Sequence, residues 1–362
     1  MSSRKIRVAV VGLGFGRWFV DLYRHHPSVE YVGICDADTQ RLAATGDSLG
    51  ITHRSTSLDD VLASRDYDAV HLLTPVDRHA AHAIAALNAG KHCAVAVPMA
   101  TTLDDLRNVL AAQRRTGLNY MMMETQTFRR EYLLAKDLHA RGEIGNIQFM
   151  RGAHCQDIEG FPAPRKAIPP MLYMTHAIAP LLDLPRTRAT RVFCLGSGKM
   201  REELAGECGY KHPLAAALFA LEGTPTAAEV LRSHFETAIH DCLESFEIFG
   251  DKASFHMGQF AGDPCALVTI AASQHGKSRA TAVQRPLEAP YRPDLLPPEM
   301  AKFANGMHGG AHPHLVHAFV SSIVEERAPK VDAVTAANWT AAGICAHASL
   351  QADGEVVAVP KF

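Results

Sequence analysis

One stretch near the N-terminus constrains the fold more than any other. Val8-Ala9-Val10-Val11 is a short apolar run that passes directly into Gly12-Leu13-Gly14-Phe15-Gly16-Arg17 and then into a helical pattern. A strand entering a glycine cluster that opens a helix needs Gly12 for the tight turn and Gly14 for close backbone approach to a pyrophosphate. The helix N-terminus then supplies oriented N–H groups and a partial positive charge. The third glycine of the G-x-G-x-x-G spacing is replaced by Arg17, with Gly16 one place early. Asp36 ends the next apolar run, 24 residues after Gly12, near the distance at which a carboxylate accepts hydrogen bonds from an adenosine ribose. Its charge would repel a 2′-phosphate, which favours NAD over NADP; Arg41 nearby argues the other way.

The rest of the first third repeats this alternation. Strands are expected at Ile6–Val11, Tyr31–Cys35, Gly50–His53, Ala69–Leu73, Cys93–Val97 and Asn119–Glu124, with helices at Arg78–Asn88 and Leu103–Thr116, the latter capped by Thr101 or Thr102. Strands this apolar, separated by helices, indicate a doubly wound parallel sheet covered on both faces, a Rossmann domain over residues 1–124. After a helix from Arg129 to Arg141 the pattern changes. Runs at Ile147–Gly152, Arg191–Leu195, Ala227–Ser233 and Glu244–Gly250, joined by loops, predict a large and mainly antiparallel open sheet in a second α/β domain over 125–362. The proline-rich stretch Gly160–Pro170 and the segment Arg285–Pro298 are expected to be irregular. Helices are expected at Pro313–Glu326 and Ala333–Gln351, the second packing back on the first domain, before a closing strand at Glu355–Val359.

Composition excludes several functions. With 362 residues, a prior of roughly 150 per domain gives two domains. Lys and Arg total 36 against 38 Asp and Glu, and no basic run exceeds a pair, so nucleic acid is not an expected partner. No apolar run approaches the length that crosses a bilayer, and Met1–Val11 reads as a strand and not as a signal peptide. The eight cysteines are dispersed, without a C-x-x-C pair, which predicts reduced thiols, a cytoplasmic protein and no cysteine zinc site.

Further motifs carry a family resemblance. Thr74-Pro75 with His79, then Ala89-Gly90-Lys91-His92, and Arg141-Gly142-Glu143-Ile144-Gly145 occur in one order. Together with the glycine turn they resemble the Gfo/Idh/MocA oxidoreductases along nearly the whole chain. The resemblance implies a Rossmann domain, a second domain whose open sheet mediates oligomerisation as a dimer or tetramer, and NAD(P)-linked redox chemistry on sugars, inositols and related polyols. It also implies cofactor contacts by Phe15, Gly16, Arg17, Thr74, Pro75, His79 and Pro98. Two departures stand out. The family's Glu-Lys-Pro is here Ala96-Val97-Pro98, without the lysine, and its Asp-x-x-x-His is Leu172-Tyr173-Met174-Thr175-His176, which keeps the histidine and loses the aspartate.

Hydride transfer to or from a secondary alcohol needs a group that takes or gives the hydroxyl proton, and histidine does this near neutral pH. His176 is the first candidate, with Tyr173 on the same face if the segment is helical. Candidate substrate contacts are His154 and Asp157, in a polar cluster read as following the first strand of the second domain. Glu124 and Gln126 stand at the end of the sixth strand, and His308 and His312 flank Gly309-Gly310. His314 and His317 lie on the helix beyond, but the spacing matches no standard ligand motif and no metal is expected. The leading reading is an NAD-dependent dehydrogenase of a ring hydroxyl. The second is a glycoside hydrolase working by transient oxidation at C3, elimination, hydration and re-reduction. The third is a non-catalytic NAD-binding sensor.

Overall fold

The computed structural model describes residues 4–235, 244–258, 260, 262–271, 274–277 and 280–362; Cys242 lies outside the described residues. The first sheet has six strands, β1 (Ile6–Val11), β2 (Val29–Cys35), β3 (Arg54–Ser55), β4 (Ala69–Leu72), β5 (His92–Val95) and β6 (Tyr120–Met122). All pairs are parallel in the order β3-β2-β1-β4-β5-β6. This doubly wound order places the carboxyl ends of β1 and β4 side by side at a topological switch point. The connecting helices are α1 (Leu13–Arg24), α2 (Thr39–Leu49), α3 (Leu58–Ala63), α4 (His79–Asn88) and α5 (Leu103–Thr116).

Local chemistry sets these helix ends. The Thr102 hydroxyl accepts from the Asp105 N–H, acidic residues fill the first turn of α5 and Arg114 and Arg115 the last, and Gly117 closes it in the left-handed conformation. Gly50 does the same for α2 at φ 63°, so no strand forms at 50–53 and the short β3 comes only at Arg54.

The second sheet contains β7 (Ile147–Cys155), β8 (Ala189–Ser197), β9 (Leu214–Leu221), β10 (Ala227–Ser233), β11 (Glu244–Gly250), β12 (Ser254–His256), β13 (Cys265–Ile270), β14 (Ala282–Leu287) and β15 (Val357–Ala358). Its order is β14-β13-β12-β11-β7-β10-β9-β8-β15, antiparallel throughout except for the parallel pair β7–β10. The helices are α6 (Arg130–Ala140), α7 (Ala163–Lys166), α8 (Thr175–Asp183), α9 (Glu202–Cys208), α10 (Met307–Val324) and α11 (Ala333–Gln351). Regular elements thus occur where loops were expected. The proline-rich stretch holds α7, entered through Pro162 and with Pro164 in its first turn, where a missing N–H costs nothing. The segment after Arg285 begins inside β14.

The chain divides into two compact units. One comprises the residues up to Phe128 with Tyr291–Thr340 and Phe362; the other comprises Arg129–Pro290 and Ala341–Lys361. The sequence reading had placed everything after 124 in the second domain. α10 counts with the first unit because it is apolar around most of its circumference, burying Leu315, Val316, Phe319, Val320 and Ile323, and packs on α1. α11 contributes its first eight residues to one unit and the remainder to the other.

Candidate functional site

In the first unit, β1 delivers the chain into Gly12 at φ 90°, and a Cβ there would stand 2.5 Å from the Leu73 carbonyl oxygen. Only glycine meets both demands, and the close approach brings the β4 loop with Thr74 and Pro75 against the turn. A Cβ on Gly14 would meet nothing within 4 Å. Gly12 caps α1 without a side-chain bond, and no acidic residue occupies the first turn. The positive N-terminus of α1, without a side-chain cap, and the open space beside Gly14 suit a pyrophosphate. A cavity of about 720 Å³ opens beside the turn, bordered by Gly14, Arg17, Trp18, Arg41 and His312.

Asp36 is held in place by the same turn. Its carboxylate accepts from the Leu13 N–H at 2.7 Å and from the Asp38 N–H at 2.9 Å, and both oxygens lie 3.2 Å from Arg41 Nη1. Arg41 also reaches Asp38 at 3.1 Å. These contacts orient the Asp36 carboxylate, and the two to Arg41, the longest of the four at 3.2 Å, are the ones a ribose diol would replace. The donor set fits a dinucleotide.

His79 is buried, with Nδ1 2.7 Å from the Pro98 carbonyl and Nε2 2.9 Å from that of Thr74. Burial lowers its pKa although both carbonyls oppose this. It ties the β4 and β5 loops together and so positions Thr74 and Pro98; the Val97–Pro98 peptide is cis. Thr74 Oγ1 meets His82 Nδ1 at 3.0 Å. Glu124 caps a short turn by accepting from the Gln126 N–H at 3.0 Å, and both side chains are buried. His308 and His312 sit in this unit as well. His308, Gly309 and Gly310 run left-handed in succession (φ 52°, 61° and 83°), so α10 kinks at its start. The kink stacks His308 on His312 at 4.8 Å and His312 on Phe19 at 4.5 Å, with Phe15 edge-on to both histidines. The two histidines thus stand beside the glycine turn of the first unit.

Those polar groups converge on one row of the second sheet. β7 runs on to Cys155, so His154 lies inside the strand with Met150 and Gly152 on the buried face, not in a loop after it. In register, His154 pairs with Arg232 on β10 and with Glu244 on β11. α8 covers this row. It comes so close that a Cβ on Gly152 would lie 2.2 Å from the Ala177 carbonyl oxygen. Tyr173 and His176 do not share one helix as expected: Tyr173 ends a 3-10 turn, Pro170–Tyr173, and His176 is the second residue of α8. Their rings nevertheless lie 5.8 Å apart, and the His154 ring lies 5.1 Å from His176 and 6.4 Å from Tyr173. Burial, and next the Arg232 charge, push His154 well below the usual histidine range, so it is a neutral imidazole. Its Nε2 stands 3.7 Å from Glu244. Asp157 lies beyond the end of β7, exposed, and closes a turn by accepting from the Glu159 N–H at 2.9 Å.

Sequence reasoning missed Arg232 and Arg165. Arg232 is fully buried. Its Nε donates to the Tyr173 carbonyl at 2.9 Å and its Nη1 to that of His154 at 2.7 Å and to that of Ser233. Alternation along β10 carries the signal, since Ala228, Val230 and Arg232 share the inward face. Arg165, on α7, lies 3.8 Å over the Tyr173 ring. Among the described residues no group of His, Cys, Asp and Glu side chains is arranged to hold a metal. Among the described residues no helix is long and apolar enough to cross a membrane, and the seven described cysteines are free thiols.

Comparison with known proteins agrees with the first unit's geometry. A 140-residue stretch covering 38% of this chain is 34% identical to 4-carboxy-2-hydroxymuconate-6-semialdehyde dehydrogenase of Sphingobium sp.. A stretch of 163 residues covering 42% is 31% identical to a glycosyl hydrolase family 109 protein of Shewanella baltica. These matches span 44% and 36% of the two relatives. Scyllo-inositol dehydrogenase of Lactobacillus casei, solved with NAD(H) and scyllo-inositol, superposes with a TM-score of 0.74 over 98% of this chain and 99% of its own at 19% identity, a likeness of fold. Residues 6–124 match the family model GFO_IDH_MocA, described as an oxidoreductase family with an NAD-binding Rossmann fold.

Proposed function

We propose that the chain is an NAD-dependent oxidoreductase of a ring hydroxyl on a sugar, glycoside or polyol, with His176 as general acid/base. What supports this reading is the convergence of His176, Tyr173 and neutral His154 over one row of the second sheet, in a chain whose first unit binds NAD. Bound NAD supplies a two-electron acceptor for a hydride from the carbinol carbon. The chain's residues supply the rest: His176 takes the hydroxyl proton as the carbonyl forms, Tyr173 orients the hydroxyl, and His154 lies against His176 without adding charge. A homodimer or homotetramer is part of the proposal.

His176→Asn should lower kcat by roughly a hundred- to ten-thousand-fold while NAD affinity and melting temperature hold. Near wild-type turnover in that variant would remove His176 from the mechanism. The glycosyl hydrolase family 109 relative favours a second reading, in which the same proton-handling groups serve net hydrolysis of a glycoside. Mass spectrometry after incubation with NAD⁺, sugars and aryl glycosides in heavy water separates the two. Oxidised sugar matched by NADH supports the dehydrogenase. Free sugar deuterated at C2 without net NADH supports the hydrolase.

A further inference from the structure

Among the described residues, the second unit's polar row holds more positive charge than its carboxylates neutralise. Arg232 is fully buried, and its Nη2 has no hydrogen-bond partner; Arg165 Nη1 is likewise buried and unsatisfied. Both guanidinium groups lie at one ring, 3.8 Å and 5.9 Å from the Tyr173 centroid. Among the described residues neither has a carboxylate within ion-pair distance. Glu244 stands two strands from Arg232 with His154 between them, and Arg129 Nη1 already lies 3.8 Å from it. Burial lowers the pKa of each arginine, and Arg165 further lowers that of Arg232, which registers the cost of like charges in a dry place. Arginine does not escape that cost by losing its proton. The remaining contacts of both side chains are neutral: carbonyl oxygens for Arg232 and the Gln156 amide oxygen, at 3.4 Å, for Arg165.

Further orphaned atoms surround the pair. Both ring nitrogens of His154, Ser233 Oγ, His234 Nε2 and Thr175 Oγ1 are buried without a hydrogen-bond partner. Buried polar groups are normally satisfied, so such a cluster marks the place of a polar ligand. Two buried cations among neutral donors and acceptors specify its charge.

We infer that the substrate is an acidic sugar or polyol, its anionic group, carboxylate or phosphate, held by Arg165 and Arg232 while its hydroxyls meet His154 and His176. This inference rests on the redox reading of the same site and names its substrate class. A guanidinium fork matches either anion with paired N–H donors. A site built this way rejects the neutral analogue, which leaves the buried donors unpaired.

The test compares acids with their neutral parents on the NAD-loaded protein. D-Glucuronate, D-galacturonate, D-gluconate and glucose 6-phosphate are set against D-glucose, D-galactose and D-glucitol, with calorimetric binding and NADH formation read separately. The expected result is that at least one acid exceeds its parent about 100-fold in affinity and in kcat/KM. The carboxylate and phosphate arms identify the anion. Arg165→Gln should erase most of that preference through KM, Arg165→Lys should restore part of it, and NAD affinity should not change. Arg165 is the residue of choice because it is only partly buried on a short helix and its side chain holds no backbone carbonyl among the described residues, whereas Arg232 clamps three carbonyl groups. If no acid is bound more tightly than its neutral parent, or Arg165→Gln leaves the preference intact, the inference is overturned. Tight acid binding without NADH would sink the redox reading and leave the anion site standing. NADH from neutral sugars alone would do the reverse.

Discussion

Replacing Gly152 by alanine tests whether the candidate catalytic row depends on the closeness of α8 to β7. The added methyl would sit 2.2 Å from the Ala177 carbonyl oxygen, 3.1 Å from its carbon and 3.2 Å from Leu181 Cδ1, so the helix must retreat by about 1 Å to restore contact. Its far end is tethered, since the Asp183 carboxylate accepts from the Tyr132 hydroxyl. The displacement therefore falls on the first turn, where Thr175 and His176 sit. Overpacking of this kind costs about 1–3 kcal/mol, which for a chain of 362 residues lowers Tm by roughly 1–4 °C. A shift of about 1 Å in a proton-transfer group costs on the order of 100-fold in kcat. Melting followed by circular dichroism and NADH formation on the preferred substrate are the two readouts, with NAD affinity as an internal control. Gly206→Ala, where a Cβ meets nothing within 4 Å, should leave both unchanged. If Gly152→Ala melts and turns over like the parent protein, the close helix–strand contact does not set the position of His176, and the reasoning fails.

Further outcomes follow from the first unit. Gly14→Ala should melt like the parent and lose roughly tenfold or more in NAD affinity, because its Cβ enters only the space kept for the pyrophosphate; Gly12→Ala should destabilise the fold itself, since φ is positive and the Leu73 carbonyl blocks the methyl. Equal Tm losses in the two variants would contradict this. Asp36→Asn should weaken NAD binding by about 1.5–3 kcal/mol, the worth of hydrogen bonds to a charged acceptor, as read by fluorescence titration; unchanged affinity would remove Asp36 from the cofactor site. Acid should unfold the protein early. Burial pushes His26, His71 and His312 down to about 3 and His314 down to about 4, with a neighbouring histidine as the second cause wherever there is one. Between the ordinary value of 6.5 and these values the unfolded chain binds protons that the folded one refuses. Stability is therefore complete above pH 6.5 and falls as pH drops, by about 2 kcal/mol per histidine at pH 5. Urea midpoints at pH 7, 6 and 5 should decline in that order, and a flat series would show that these histidines are not held neutral.

How far the site was legible depended on how local its determinants are. The meeting of the Gly12 turn with Asp36 was legible in the sequence because a turn, a helix end and a carboxylate one strand away are nearly contiguous in the chain. The start of α5 at Thr101 or Thr102 was legible for the same reason, and the structure selects Thr102. Arg165 was hidden in a stretch whose prolines read as irregular, although Pro162 leads into a short helix and Pro164 lies in its first turn. Arg232 was open to reading from the inward alternation of β10, but only if a charge is allowed on a buried face. His308 and His312 were legible as flanking a Gly-Gly turn, but their stacking on each other and on Phe19 depends on the left-handed conformation at 308–310 and on the packing of α10 against α1.

The amino-acid sequence by itself determined the doubly wound first sheet, the cofactor turn and the presence of a second, mainly antiparallel sheet, because hydrophobic periodicity and glycine placement act over a few residues. Only the tertiary structure decided that Arg232, His154 and Glu244 stand in one row, that Gly152 admits α8 and with it His176, and that α10 returns to the first unit. Those are matters of strand register and helix packing. They arise between segments from a few residues to nearly 300 residues apart in the chain, where the burial of one face, and no local propensity, selects the partner.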